Sequence, residues 1–110
     1  MSKYRNRKVT VDGITFDSVK ESRRYTELKL LQRGGYIKNL QLQVPYVIIP
    51  SQRSKDGKVV ERAIKYYADF VYDTPEGEKV VEDAKGVRTD VYRLKKKLLR
   101  YIHGITIKEV

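Results

Sequence analysis

From about Val59 to Lys85 the chain alternates in character around a single turn, and that pattern demands a sheet. Ile64, Tyr66, Ala68, Phe70 and Tyr72 fall on one side of an extended chain. Lys65, Tyr67, Asp69, Val71 and Asp73 fall on the other, because side chains of a strand alternate with period two. Thr74-Pro75-Glu76-Gly77-Glu78 carries turn chemistry. A second strand follows from Lys79 to Lys85, with Val81, Asp83 and Lys85 alternating against Val80, Glu82 and Ala84. A hairpin closed symmetrically about Glu76 sets Val71 opposite Val81, Asp69 opposite Asp83, and Tyr67 opposite Lys85.

Two opposed aspartates destabilise a sheet and push one carboxyl towards protonation. A divalent cation between them removes that penalty. With one histidine and no cysteine in the chain, such an ion would be held by oxygen, which suits magnesium or manganese. Lys85 extends from the same face, where an ammonium can hold an attacking water or steady a charged phosphate. The plain alternative is that one aspartate points to solvent and Lys85 pairs with the other. A register slipped by one residue would also turn the strand over.

The rest of the chain supplies the frame. Val9 and Val11, then Asp12-Gly13, then Ile14 and Phe16 read as a tight hairpin. Ser18 caps a helix that Gly34-Gly35 ends, with Tyr25, Leu28 and Leu31 as its apolar face. Glu21 shares that face with Tyr25 and Leu28 and becomes a third candidate metal ligand. Its competing role is the capping box with Ser18. Glu27 points nearly to the opposite side. Leu40, Leu42, Val44, Tyr46 and Ile48 alternate along one strand face, and Pro45 marks that strand as an edge or a bulge. Residues 50–58 read as a polar loop. Thr89 or Asp90 caps a second helix with Val91, Leu94, Leu98, Tyr101 and Ile102 at helical spacing, and with Arg93, Lys96, Lys97 and Arg100 on the other side. Gly104 stops it, and Ile105-Thr106-Ile107 forms a last strand. His103 favours the helix C-terminal dipole. The order predicts one α/β (mixed α+β) domain over residues 1–110, a central mixed sheet flanked by helices, with residues 1–8 as a basic arm.

The charge narrows the partners. The chain carries 24 basic and 14 acidic residues, a net +10, concentrated in the arm (Lys3, Arg5, Arg7, Lys8), at Arg23 and Arg24, and from Arg88 to Arg100. Such a field attracts polyanions, nucleic acid before an anionic membrane, since no basic helix shows a separate apolar face to insert. Solvation of an outer helix face is the ordinary reading of any single lysine. Tyr66, Tyr67, Tyr72 and Tyr92 could stack on bases, although tyrosines in a small domain more often serve core and rim. No apolar run reaches the length of a membrane span. The basic start is not followed by the apolar core of a signal peptide, and the absence of cysteine fits a cytoplasmic setting.

Ser18-x-x-Glu21, Ala68-Asp69-Phe70 and Asp83-Ala84-Lys85 resemble the signature of the PD-(D/E)XK nuclease superfamily, with Ala68 where the motif name has proline. FDSVKESRRYTELKLL, YYADFVY, VVEDAKGVRTDVYRLKKKLL and Gln43-Val44-Pro45 are similar to a family of small phage and prophage proteins long catalogued as a domain of unknown function, DUF1064. The likeness runs from about Tyr4 to Val110. It implies a restriction-endonuclease-like core and magnesium- or manganese-dependent hydrolysis of DNA phosphodiesters, with RNA also open. Glu21, Asp69 and Asp83 would hold the metal, and Lys85 would act on the water. Asp83 is preferred to Glu82, which alternation puts on the other face. Gln43 resembles a polar residue that some relatives place near the site. Arg88, Arg93, Lys96, Lys97 and Arg100 would lie along the phosphate backbone. A small domain with no recognition module suggests a structure-selective enzyme for branched or junction DNA in phage recombination, repair or packaging, and a homodimer would suit paired nicks. The alternatives are a nucleic-acid-binding module that does not cut and a phage assembly protein, both on a nuclease fold.

Overall fold

The computed structural model describes residues 7–84 and 87–110; the arm residues Lys3 and Arg5, and Lys85 with Gly86, lie outside them. β1 (Val9–Val11) and β2 (Ile14–Phe16) form the expected hairpin, closed by Asp12 and Gly13 at φ 53 and 75. Two successive positive φ values are the requirement of a tight turn that follows strand twist. α1 (Val19–Arg33) starts at Ser18, whose hydroxyl accepts from Glu21 N–H at 3.1 Å. Tyr25 and Leu28 are buried as the spacing predicts, whereas Leu31 is exposed.

The main sheet has the order β3 (Lys38–Ile49), β6 (Ile64–Asp73), β7 (Lys79–Asp83), β8 (Ile107–Glu109). β8 runs parallel to β7 and the other neighbours are antiparallel, so the sheet is mixed as expected. Pro45 lies on the edge strand β3, where a missing N–H costs least. α2 (Asp90–His103) joins β7 to β8, capped by the Thr89 hydroxyl and ended by Gly104 at φ 68. Two apolar clusters cover the sheet. One gathers Phe16, Tyr25 and Leu28 with Phe70 and Tyr72; the other gathers Tyr92 and Leu99 of α2 with Tyr66, Ala68, Val71 and Val81.

Three expectations are corrected. The alternation of β3 and β6 does not hold along their length: Leu40 and Leu42 join the α1 cluster, while Val44 and Ile48 join the α2 cluster. On β6, Phe70 and Tyr72 part from Tyr66 and Ala68 in the same way. The change falls at Gln43, which adopts φ 51 between the pairs Leu42↔Phe70 and Val44↔Ala68. A left-handed residue rotates the pleat, so the sides exchange there. Second, α2 packs through Tyr92 and Leu99 and, of the stripe the periodicity picked out, only through the half-buried Leu98; Val91, Leu94, Tyr101 and Ile102 are exposed. The helix carries two overlapping apolar faces, and the larger aromatic and the 99 position won the sheet. Third, the strand expected from Val59 breaks at Arg62-Ala63, and the polar loop before it contains strand, so β4 (Gln52–Arg53) and β5 (Val59–Glu61) form a separate ribbon. Tyr66, Tyr72 and Tyr92 are buried, the core role more usual for tyrosines in a small domain, while Tyr67 of that group remains exposed.

Candidate functional site

The central hairpin keeps the expected register: Phe70↔Glu82, Val71↔Val81, Tyr72↔Val80 and Asp73↔Lys79. The ladder ends at Phe70↔Glu82, with Asp69 and Asp83 the next residue on each strand. Both are buried, at 3% and 0% exposure. Two carboxylates at adjacent points of a sheet interior need donors, and the fold supplies them. Asp69 Oδ2 accepts from Ala84 N–H at 2.8 Å, and Oδ1 accepts from Gln43 Nε2 at 3.1 Å. Tyr66 donates its hydroxyl to Asp83 Oδ2 at 2.9 Å. Burial, then the Asp83 charge, pushes the Tyr66 phenol well above its ordinary range, so it stays a donor. The Val110 N–H donates to the Asp83 carbonyl at 3.0 Å, so the chain after β8 helps fix Asp83.

Glu21 comes to the site through Gln43. The same Nε2 that serves Asp69 donates to Glu21 Oε1 at 3.1 Å. The left-handed backbone at Gln43 thus aims one amide between a helix carboxylate and a strand carboxylate. Unusual backbone at such a point is characteristic of functional sites. The Ser18 half of the capping box is present, but the Glu21 carboxylate reaches across to β3.

α1 is held at this rotation by Arg24, one helical turn after Glu21. Its guanidinium grips Glu82 with two bonds of 2.7 Å, and Tyr72 donates to the same carboxylate. Glu82 is fully buried, and Arg24 also reaches Glu27 at 2.9 Å. Glu82 therefore serves as the anchor for α1 and lies apart from Asp83, as alternation requires. Asp83 therefore does not meet α1: the α1 side of β7 receives Glu82, and Asp83 turns to Tyr66, whose ring packs against Tyr92 of α2.

Among the described residues, no three His, Cys, Asp or Glu side chains are gathered closely enough to enclose an ion. What converges is the pair Glu21 and Asp69, both turned on one amide nitrogen, with Asp83 just beyond the last β6–β7 pair. Two carboxylate oxygens sharing a single electropositive partner form a donor set suited in kind to a hard cation. Lys85 lies outside the described residues.

Beside β8, Arg88, Arg93, Lys96, Lys97 and Arg100 line one cavity of about 390 Å³, together with Ile105, Thr106, Ile107 and Glu109. All five basic residues singled out by the sequence thus share one concave surface. Glu109 organises it. It accepts from Arg88 Nε at 2.7 Å and Tyr92 Oη at 2.8 Å, and pairs with Lys96 at 3.2 Å. The Tyr92 hydrogen bond first, then those to Lys96 and Arg88, hold the Glu109 carboxyl at about 2, below its ordinary 4.5. A carboxyl lowered on folding stabilises above its unfolded value and loses that contribution as pH falls from about 4.5 through about 2. Glu109→Gln is accordingly expected to flatten the acid limb of a thermal-midpoint profile between those values.

Sequence reasoning missed Tyr66 as a partner of Asp83, Arg24 as the anchor of α1, and Glu109 as the organiser of the cavity. Tyr66 had no signal, because alternation puts it on the side away from Asp69 and the face exchange near Gln43 is not visible in the sequence. Arg24 and Glu109 had none without the tertiary fold. His103 is structural as expected, donating through Nε2 to the Val47 carbonyl at 2.7 Å. No helix among the described residues is long and apolar enough to cross a membrane.

No curated protein and no solved structure gives a significant match to the chain. A family described as "Protein of unknown function (DUF1064)" matches residues 1–108, and the chain belongs to that DUF1064 family.

Proposed function

We propose that the protein is a metal-dependent deoxyribonuclease of the PD-(D/E)XK kind, selective for branched or junction DNA. The observation that carries this reading is the convergence of Glu21 and Asp69 on Gln43, with Asp83 next along β7 from Glu82, which pairs with Phe70. A fold selected only for stability has no use for buried like charges brought together in this way. Glu21 and Asp69, which share the Gln43 amide, would hold magnesium or manganese once Asp83 is drawn in from its Tyr66 hydrogen bond, and the ion would supply Lewis-acid polarisation of the phosphate.

The chain's own residues do the rest. Tyr66 and the Ala84 amide hold the two strand carboxylates in place. Gln43 spaces Glu21 from Asp69. Lys85, two residues after Asp83, carries the amine that positions the attacking water. The cavity lined by Arg88, Arg93, Lys96, Lys97 and Arg100 receives the phosphate backbone. A two-fold dimer would bring two such sites to one junction. A phage or prophage role in recombination, repair or packaging, in the host cytoplasm, follows from the family resemblance.

The test is incubation of the purified protein with plasmid, four-way-junction and single-stranded DNA, each with magnesium, manganese or chelator. Cleavage of branched DNA that requires a divalent ion is expected. Binding without cleavage of any substrate under either metal would instead point to a nucleic-acid-binding module.

A further inference from the structure

Adjacent antiparallel strands need only a short connection, commonly two to five residues. β3 and β6 are such neighbours, yet residues 50–63 separate them. Those residues build a ladder of their own, Gln52↔Glu61 and Arg53↔Val59. Its tip is closed by Ser54 N–H to the Lys58 carbonyl at 2.9 Å and by Gly57 at φ 86, and the Arg53 guanidinium clamps the Gly57 carbonyl at 2.8 Å. Asp56 is drawn into the turn by the Ser54 hydroxyl. Every residue from Pro50 to Arg62 is exposed, Val59 and Val60 at 49% and 59%. An isolated two-stranded hairpin is marginal in water, and this one gains little from the body of the protein. The molecule is correspondingly drawn out, with a radius of gyration of 16.3 Å where a compact chain of this length would have about 13 Å.

We infer that the β4–β5 ribbon is a second nucleic-acid contact, a basic finger that lies in a groove of the duplex flanking the cleavage site. Residues 50–65 hold five basic side chains (Arg53, Lys55, Lys58, Arg62 and Lys65) against Asp56 and Glu61, and Asp56 is engaged in the tip. A two-stranded ribbon has the width the major groove admits. Its root at Ile64 stands five residues before Asp69 on the same strand, about 17 Å at ~3.3 Å per residue. That is about half a turn of B-form duplex, so DNA lying across the site passes the ribbon within one turn. The inference rests on the nucleic-acid reading proposed above and not on cleavage.

Binding to a blunt DNA duplex, measured by fluorescence anisotropy in chelator across a salt series, tests it apart from catalysis. Combined Lys55→Ala, Lys58→Ala and Arg62→Ala is expected to lower affinity at least tenfold and to reduce the salt slope by about three. Replacing residues 51–62 by Asn-Gly should do the same while leaving the far-ultraviolet spectrum of the sheet intact. A control with Lys29, Arg33 and Lys38 changed to Ala removes equal charge and should lose much less. Wild-type affinity and slope in the ribbon variant, or an equal loss in the control, would overturn the finger. So would a dimer in sedimentation that the ribbon replacement dissociates, since the ribbon would then be an arm for a second copy. Absence of duplex binding by the wild type would overturn the finger and the nucleic-acid reading together. Binding without cleavage would leave the finger standing and remove only the nuclease.

Discussion

Asp69→Asn should cut DNA on the order of 10³-fold more slowly than wild type while remaining folded. Asparagine keeps the shape of the side chain and one oxygen, which can still accept from Ala84 N–H, now at 2.8 Å. The new amide then faces Gln43, whose own amide can turn over to present its oxygen. What disappears is the negative charge that a cation needs, worth several kcal/mol to a phosphoryl transition state. The thermal midpoint should move by only a few degrees, since removing one of two opposed buried carboxylates also relieves repulsion. Single-turnover cleavage and a melting curve on the same preparation separate the two effects. A normal cleavage rate in a folded Asp69→Asn protein would remove Asp69 from the chemistry.

The largest effect on stability is expected at Arg24. Arg24→Ala leaves the carboxylate of Glu82, which has no exposed surface, with Tyr72 but without its bidentate cation. Breaking a buried pair on one side typically costs about 3–5 kcal/mol. For a chain of this size that lowers the melting temperature by at least about 10 °C. Replacing both partners, Arg24→Met with Glu82→Leu, should restore much of the loss, because a well-packed apolar pair avoids desolvation altogether. Thermal denaturation of the three variants measures both points. A single substitution that melts with wild type would mean that Glu82 is satisfied without Arg24. The anchor matters beyond stability: Glu21 lies one turn before Arg24, so a helix released from Glu82 no longer holds Glu21 on Gln43.

The sequence was most informative where local chemistry decides geometry. Asp12-Gly13, Ser18 and Gly104 each impose one backbone solution, and the structure adopts it. The Val71↔Val81 register was readable because a short turn leaves few ways to close a hairpin. Faces were harder. Gln43 has no side-chain feature that announces a positive φ, yet its conformation divides β3 and β6 between two cores and brings Glu21 to Asp69. In α2, Val91 and Leu94 looked as apolar as Tyr92 and Leu99, and only packing against the sheet distinguishes them. The Arg24–Glu82 pair joins residues 58 positions apart, a distance over which no local pattern speaks.

The nuclease assignment stands or falls on cleavage of an end-labelled four-way junction under single-turnover conditions by wild type and Asp83→Asn purified side by side. Asp83→Asn retains an oxygen for the Tyr66 hydroxyl but not the charge. Wild type should cut in magnesium or manganese and stop in chelator, and the variant should leave the junction intact while still binding it. Equal cleavage by the two proteins, or none by wild type with either metal on any branched, duplex or single-stranded substrate, would contradict it.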